Sequence, residues 1–174
     1  FEILYLTEEI DEFTLQAMRS FEEKEFKSVS SDDLDLEKTE LEKKDEEKQA
    51  EDNKELLNFI KESLGDKVTE VRLSNRLKTH PVCLTSKGDI SLEMEKVINA
   101  MPTDQGIKAQ RVLELNAKHP IMNSIMEEFA RGDEGKEKVK IYADILYNQA
   151  LLIEGMPIED PVAFSNEVCD LISK

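Results

Sequence analysis

The sequence predicts an α+β chain: a small α/β piece, a long acidic helix, then a three-stranded sheet with helices that ends in a dimerising helix pair. Three patterns carry this. Short runs around 68–73, 81–86 and 106–116 read as strands, the first by its alternation of apolar and polar residues. Longer stretches repeat their apolar residues at helical spacing. An almost purely polar Glu/Lys segment separates the two regions. Composition shifts at the same point, so the chain divides into 1–65 and 66–174. Of the net charge of −16, residues 1–65 hold 21 acids and 9 bases, and residues 66–174 hold 18 acids and 14 bases.

"FEILYL" reads as a buried strand. Thr7 then caps a helix through Ile10, Phe13, Leu15 and Met18, with Glu8 and Glu9 at its positive end. "EFKSVS" reads as a second strand, giving the last piece of an α/β layer. The chain opens on Phe1 without an initiator Met and reads as an excerpt of a longer protein. Residues 37–64 read as one helical stretch. Its first half, "EKTELEKKDEEKQAEDNKE", has Glu/Lys pairs and almost no apolar face. Its second half gains Leu56, Leu57, Phe59, Ile60 and Leu64, and Gly65 ends it.

"KVTEVRLS" alternates as a half-buried strand should, and "PVCLTS" follows with Pro81 at the tolerated first position. "GDISLEMEKVINAMP" is an amphipathic helix with Asp89 as its N-cap. Ile90, Met94, Val97, Ile98 and Met101 share one face. Its two methionines repack easily, which suits a surface that accepts many partners. "GIKAQRVLELN" is the third strand. His119-Pro120 opens a helix that buries Ile121, Ile125, Met126 and Phe129. Gly132 and Gly135 make a turn.

Two closing helices follow, over about 136–154 and from Asp160-Pro161 to the end. The first is apolar around most of its circumference: Val139, Ile141, Tyr142, Ile145, Leu146, Ala150, Leu152 and Ile153. The second carries Phe164, Val168, Leu171 and Ile172 on one stripe. Such a pair is half of a four-helix bundle, which a two-fold homodimer completes. The expected interface is Ile141, Tyr142, Ile145, Leu146, Leu152, Ile153, Phe164, Val168, Leu171 and Ile172.

Catalytic signals are weak. "GDEGK" lacks the spacing of a phosphate cradle, and "DDLDL" lacks the Gly of a calcium loop. His80 and Cys83 have a zinc-like spacing, but a site needs two more ligands, and only the distant His119 and Cys169 could supply them. No catalytic, cofactor or metal residue is assigned, so this stretch is not expected to be an enzyme by itself. An acidic field repels nucleic acid and anionic lipid. Two distant cysteines fit a reducing compartment, and the cytoplasm is the expected location.

Several segments together resemble the heat-shock-protein-ninety chaperones. "YLTEEIDEF" resembles the end of their middle domain. "VRLSNRL", "LELNAKHPI" with its Asn-x-x-His, and "LYNQALLIEGMPIEDPVAF" resemble successive parts of their C-terminal domain. The resemblance implies an ATP-dependent chaperone for protein folding and the heat-shock stress response. ATP and Mg would be bound upstream of this stretch. Residues 66–174 would dimerise, and unfolded or partly folded clients would bind the helix at Ile90, Met94, Val97, Ile98 and Met101. The ending "VCDLISK" lacks the acidic tail that binds tetratricopeptide co-chaperones, which points to the bacterial, HtpG-like branch. A non-chaperone homodimeric assembly module is the alternative.

Overall fold

The computed structural model describes residues 2–8, 10–29, 48–74, 77–102 and 106–173. They belong to two compact units, one of Phe1–Leu34 with Thr85–Gln110, the other of Asp35–Leu84 with Arg111–Lys174.

In the first unit, helix α1 spans Asp11–Met18. The Asp11 carboxylate accepts the N–H groups of Thr7 and Glu8 at 3.0 and 3.1 Å. Asp11 thereby ties down the chain that leads into the helix; the helix itself begins later than predicted, its N-cap is Ile10 rather than Thr7, and no side chain caps it. Glu9 lies outside the described residues. Strands β1 (Ser20–Phe21) and β2 (Lys24–Glu25) form an antiparallel hairpin. Its turn residues Glu22 and Glu23 have φ of 48° and 62°, as a two-residue turn matched to strand twist requires.

Two expected strands are absent among the described residues. Residues 2–6 of "FEILYL" and residues 26–29 of "EFKSVS" have no strand geometry, and Ile3, Leu4, Tyr5 and Leu6 are exposed. Apolar composition supplies strand propensity, but the ladder needs a second strand to pair its N–H and C=O groups. Only the short β1–β2 hairpin finds one.

The second unit contains helical residues 48–52 and helix α2 (Lys54–Leu64). The earlier part of the acidic stretch, 37–47, lies outside the described residues. Leu56, Leu57, Ile60 and Leu64 are buried from α2, and Gly65 ends it at φ +56°. Strands β3 (Glu70–Ser74), β4 (Val82–Lys87) and β5 (Gln110–Asn116) form a mixed sheet in the order β3-β5-β4. β3 and β5 run parallel, with Val71 opposite Leu113 and Arg72 opposite Glu114. Glu114 is fully buried, and its Oε1 accepts from Arg72 Nε at 3.2 Å and from the second guanidinium nitrogen. The acid is tolerated there because a guanidinium stands beside it in the next strand.

Helices α4 (Pro120–Phe129), α5 (Asp133–Ile153) and α6 (Pro161–Ile172) follow. α4 begins as the His-Pro pair predicts, with His119 Nδ1 accepting the Ile121 N–H at 3.2 Å. It buries Met122 and Ile125, whereas Ile121 and Phe129 are only half-buried and Met126 is exposed. The inward line is therefore turned from the predicted one. Phe129 instead meets Phe59 of α2 at 5.5 Å between ring centroids. Gly132 makes the turn at φ +78°, but Gly135 lies inside α5. A Cβ there would sit 1.7 Å from the Glu128 carbonyl oxygen. Its role is close helix approach rather than turning. α5 packs against α2, α4 and α6, which is why its apolar residues run around most of its surface.

Candidate functional site

Helix α3 spans Leu92–Asn99. Its N-cap is Ser91, not Asp89: the Ser91 Oγ accepts the Met94 N–H at 3.0 Å. Asp89 instead offers its backbone carbonyl to Gln16 Nε2 of α1 at 3.1 Å, and α1 packs against α3. Both residue types cap well, and Ser91 stands where its oxygen meets an orphan N–H.

The buried residues of α3 are Leu92 and Glu95. Glu95 is 3% exposed, and its Oε2 accepts the Ala109 N–H at 2.9 Å. One turn on, Asn99 Nδ2 donates to the Ile107 carbonyl at 3.1 Å. Leu92 and Glu95 therefore form the buried side, and Asn99, itself exposed, lies one turn further along that side. At about 100° per residue the expected stripe lies on the other side. None of its five members is buried: Ile90, Met94, Val97 and Ile98 are half-buried, and Met101 is 48% exposed. Glu93 and Lys96 form an ion pair on the helix.

The closing pair is the second candidate surface. α6 starts where the sequence places it, with Asp160 Oδ1 accepting the N–H groups of Val162 and Ala163 at 3.1 and 2.9 Å. Despite its apolar stripe, α6 has no buried residue. Phe164 and Val168 are half-buried, and Val162, Leu171 and Ile172 are exposed, Ile172 to 80%. On α5, Ile141 and Tyr142 are half-buried and Leu152 and Ile153 exposed. Ile145 and Leu146 are buried within the chain's own fold and have no surface to offer a partner. Glu167, on α6, has its carboxyl raised above the ordinary 4.5 by burial first and by Asp144 second, with Lys67 opposing.

Residues with catalytic potential have structural work. The Asn116 side chain donates to the His80 carbonyl at 2.9 Å and accepts the Lys118 N–H at 3.0 Å. With His119 capping α4, the Asn-x-x-His segment is a strand-to-helix joint. Cys83 is half-buried and Cys169 exposed. Among the described residues no group of three or more His, Cys, Asp or Glu is arranged to hold a metal ion. No described helix is long and apolar enough to cross a membrane.

Residues 1–174 match throughout the family described as Hsp90 protein. The chain belongs to the Hsp90 family. It is 49% identical over 172 residues to the chaperone protein HtpG of Clostridium perfringens, covering 99% of this chain and 26% of the relative. It is 54% identical over 172 residues to that of Oceanobacillus iheyensis, covering 99% of this chain and 27% of the relative. The chain thus spans about a quarter of the length of the curated Hsp90 relatives it matches.

Sequence reasoning missed Glu95 and Asn99 among these Hsp90-family residues. The signal was present: with Leu92 they are spaced i, i+3 and i+7, the line opposite the apolar stripe.

Proposed function

We propose that this chain is the C-terminal part of an ATP-dependent, HtpG-type chaperone. Residues 1–65 are the end of its middle domain, and residues 66–174 are its C-terminal dimerisation domain. α5 and α6 meet the same helices of a second copy, and α3 offers its stripe to unfolded or partly folded clients. ATP and Mg act on other portions of the protein, and the working compartment is the cytoplasm.

One observation carries the client reading. α3 buries an acid beside Leu92 and leaves its apolar stripe only half-buried, with Met101 exposed, where a helix that serves only its own core would bury the stripe fully. The surface left open on this stripe gains by contact with a client's apolar residues. For the dimer, the support is a twelve-residue helix with an apolar stripe, α6, on which Phe164 and Val168 are only half-buried and no residue is fully buried within the chain. The interface then falls to Ile141, Tyr142, Leu152, Ile153, Phe164, Val168, Leu171 and Ile172.

The test is Met94→Glu with Ile98→Glu in the full-length chaperone. Two charges on the stripe should weaken binding of a fluorescein-labelled, permanently unfolded carboxymethylated lactalbumin by about tenfold or more. The mass in solution and the melting temperature should stay close to the parent's. An unfolded variant would make the stripe part of the core. A folded variant with parental client affinity would remove α3 from the client surface.

A further inference from the structure

We infer that Glu95 and Asn99 are positioning residues of α3, stitching the helix to residues 107–109 and so fixing its rotation with the apolar stripe only half-buried. The client-facing part of this inference rests on the function proposed above; the stitch itself does not.

The geometry is that of half a β-ladder made with side chains. Glu95 and Asn99 are four apart and so lie one above the other on the helix. Their backbone partners, Ala109 and Ile107, are two apart, the spacing at which an extended chain points its polar groups the same way. The carboxylate takes the Ala109 N–H at 2.9 Å, and the amide gives to the Ile107 carbonyl at 3.1 Å. One side chain accepts and the other donates, so both kinds of backbone group on the returning segment are satisfied. Ala109 and Glu95 are both buried, where water offers little substitute.

The consequence is rotational. An isolated amphipathic helix beside an apolar layer lowers its free energy by rolling its apolar side inward. α3 is held short of that, with its stripe half-buried, by a carboxylate that cannot leave its N–H without a large desolvation cost, with Leu92 buried on the same side. Stripe exposure then depends on two side chains that touch no client.

Full-length protein carrying Glu95→Leu, Glu95→Gln or Asn99→Ala tests this. Three readouts are needed: amide hydrogen exchange at Ala109, binding of the same labelled unfolded lactalbumin, and mass in solution. Glu95→Leu should speed exchange at Ala109 by about tenfold or more and weaken client binding by a similar factor. Glu95→Gln keeps an acceptor oxygen and should recover most of both. Asn99 is exposed, so Asn99→Ala stays folded, and it should produce the same pattern more weakly. The dimer mass should not change. Unaltered Ala109 exchange in both Glu95→Leu and Asn99→Ala would refute the stitch. Faster exchange with parental client affinity would refute the positioning role. Either refutation is separable from failure of the proposed function, because Met94→Glu with Ile98→Glu reports on the stripe itself. If Glu95→Leu does not fold, Asn99→Ala with an unchanged client affinity still overturns the inference.

Discussion

Gly135→Ala puts a methyl group where α4 and α5 come closest. The added Cβ would stand 1.7 Å from the Glu128 carbonyl oxygen, 2.7 Å from its carbon and 3.0 Å from the Arg131 Cβ. A carbon–oxygen contact needs about 3.3 Å, so the helix start must retreat by roughly 1.6 Å. The obstacle is backbone and cannot be cleared by a side-chain rotation. Overpacking of this kind costs about 1–3 kcal/mol, and the upper end applies here. Alanine returns up to about 1 kcal/mol through its better helix propensity. The net loss is about 2 kcal/mol. With a urea slope of about 1–3 kcal/mol per molar, the midpoint should fall by about 1 M. Circular dichroism across a urea series measures it. Gly155→Ala is the control: its φ is +67° with nothing within 4 Å of the added Cβ. Its cost should be backbone strain alone, about 1 kcal/mol. A Gly135→Ala midpoint at or above the parent's would refute the close-approach argument, since the helices would then reseat freely.

Leu171→Asp should give a folded monomer by light scattering, because this side chain is 37% exposed in the single chain. Leu146→Asp, at a position 3% exposed, should unfold the protein instead, and a folded Leu146→Asp dimer would overturn the core assignment. Glu167 is raised in the folded state, so the folded chain holds that proton more tightly than the unfolded one. Its stability contribution is present below 4.5 and lost as pH rises through the folded value. Glu167→Gln should therefore raise the urea midpoint at about pH 7 and leave it nearly unchanged at about pH 4; equal shifts at both would contradict the electrostatic cause. Arg72→Leu leaves Glu114 buried without its guanidinium and should cost about 3–5 kcal/mol, while Arg72→Leu with Glu114→Leu should recover most of that. A double variant no better than the single would mean that the pair contributes through more than its charges.

Local chemistry was readable where it is decided locally. Asp160-Pro161 starts α6 and His119-Pro120 starts α4 because caps act within three residues of the chain. β3 was visible from alternation, and β4 and β5 as short runs of strand-forming residues. "FEILYL" failed as a strand because pairing is settled by a neighbour that its own residues do not name. Asp89 was read as the cap, but the helix register puts the oxygen of Ser91, two positions on, against the orphan N–H. Ile145 and Leu146 were assigned to a partner because an all-round apolar helix looks the same whether its neighbours are α2 and α4 or another copy. Glu95 and Glu114 were invisible as interior acids. Their partners lie 14 and 42 residues away, and a pattern window sees neither. The apolar stripe of α3 was found correctly as a face, but nothing in its periodicity told which way that face would turn.

The parallel pairing of β3 with β5 also sets an order of events. Glu70 opposes Val112, and every residue between them must exist before that register can form. At about 5–20 residues per second, a chain emerging from the ribosome holds β3 for several seconds before its partner strand arrives. The buried side of α2, which packs on β3 and α5, waits longer still. α3 and its stripe are synthesised inside that interval. The nascent protein therefore carries uncovered apolar surface of its own through much of its synthesis, and non-local parallel pairing is among the slower contacts to close.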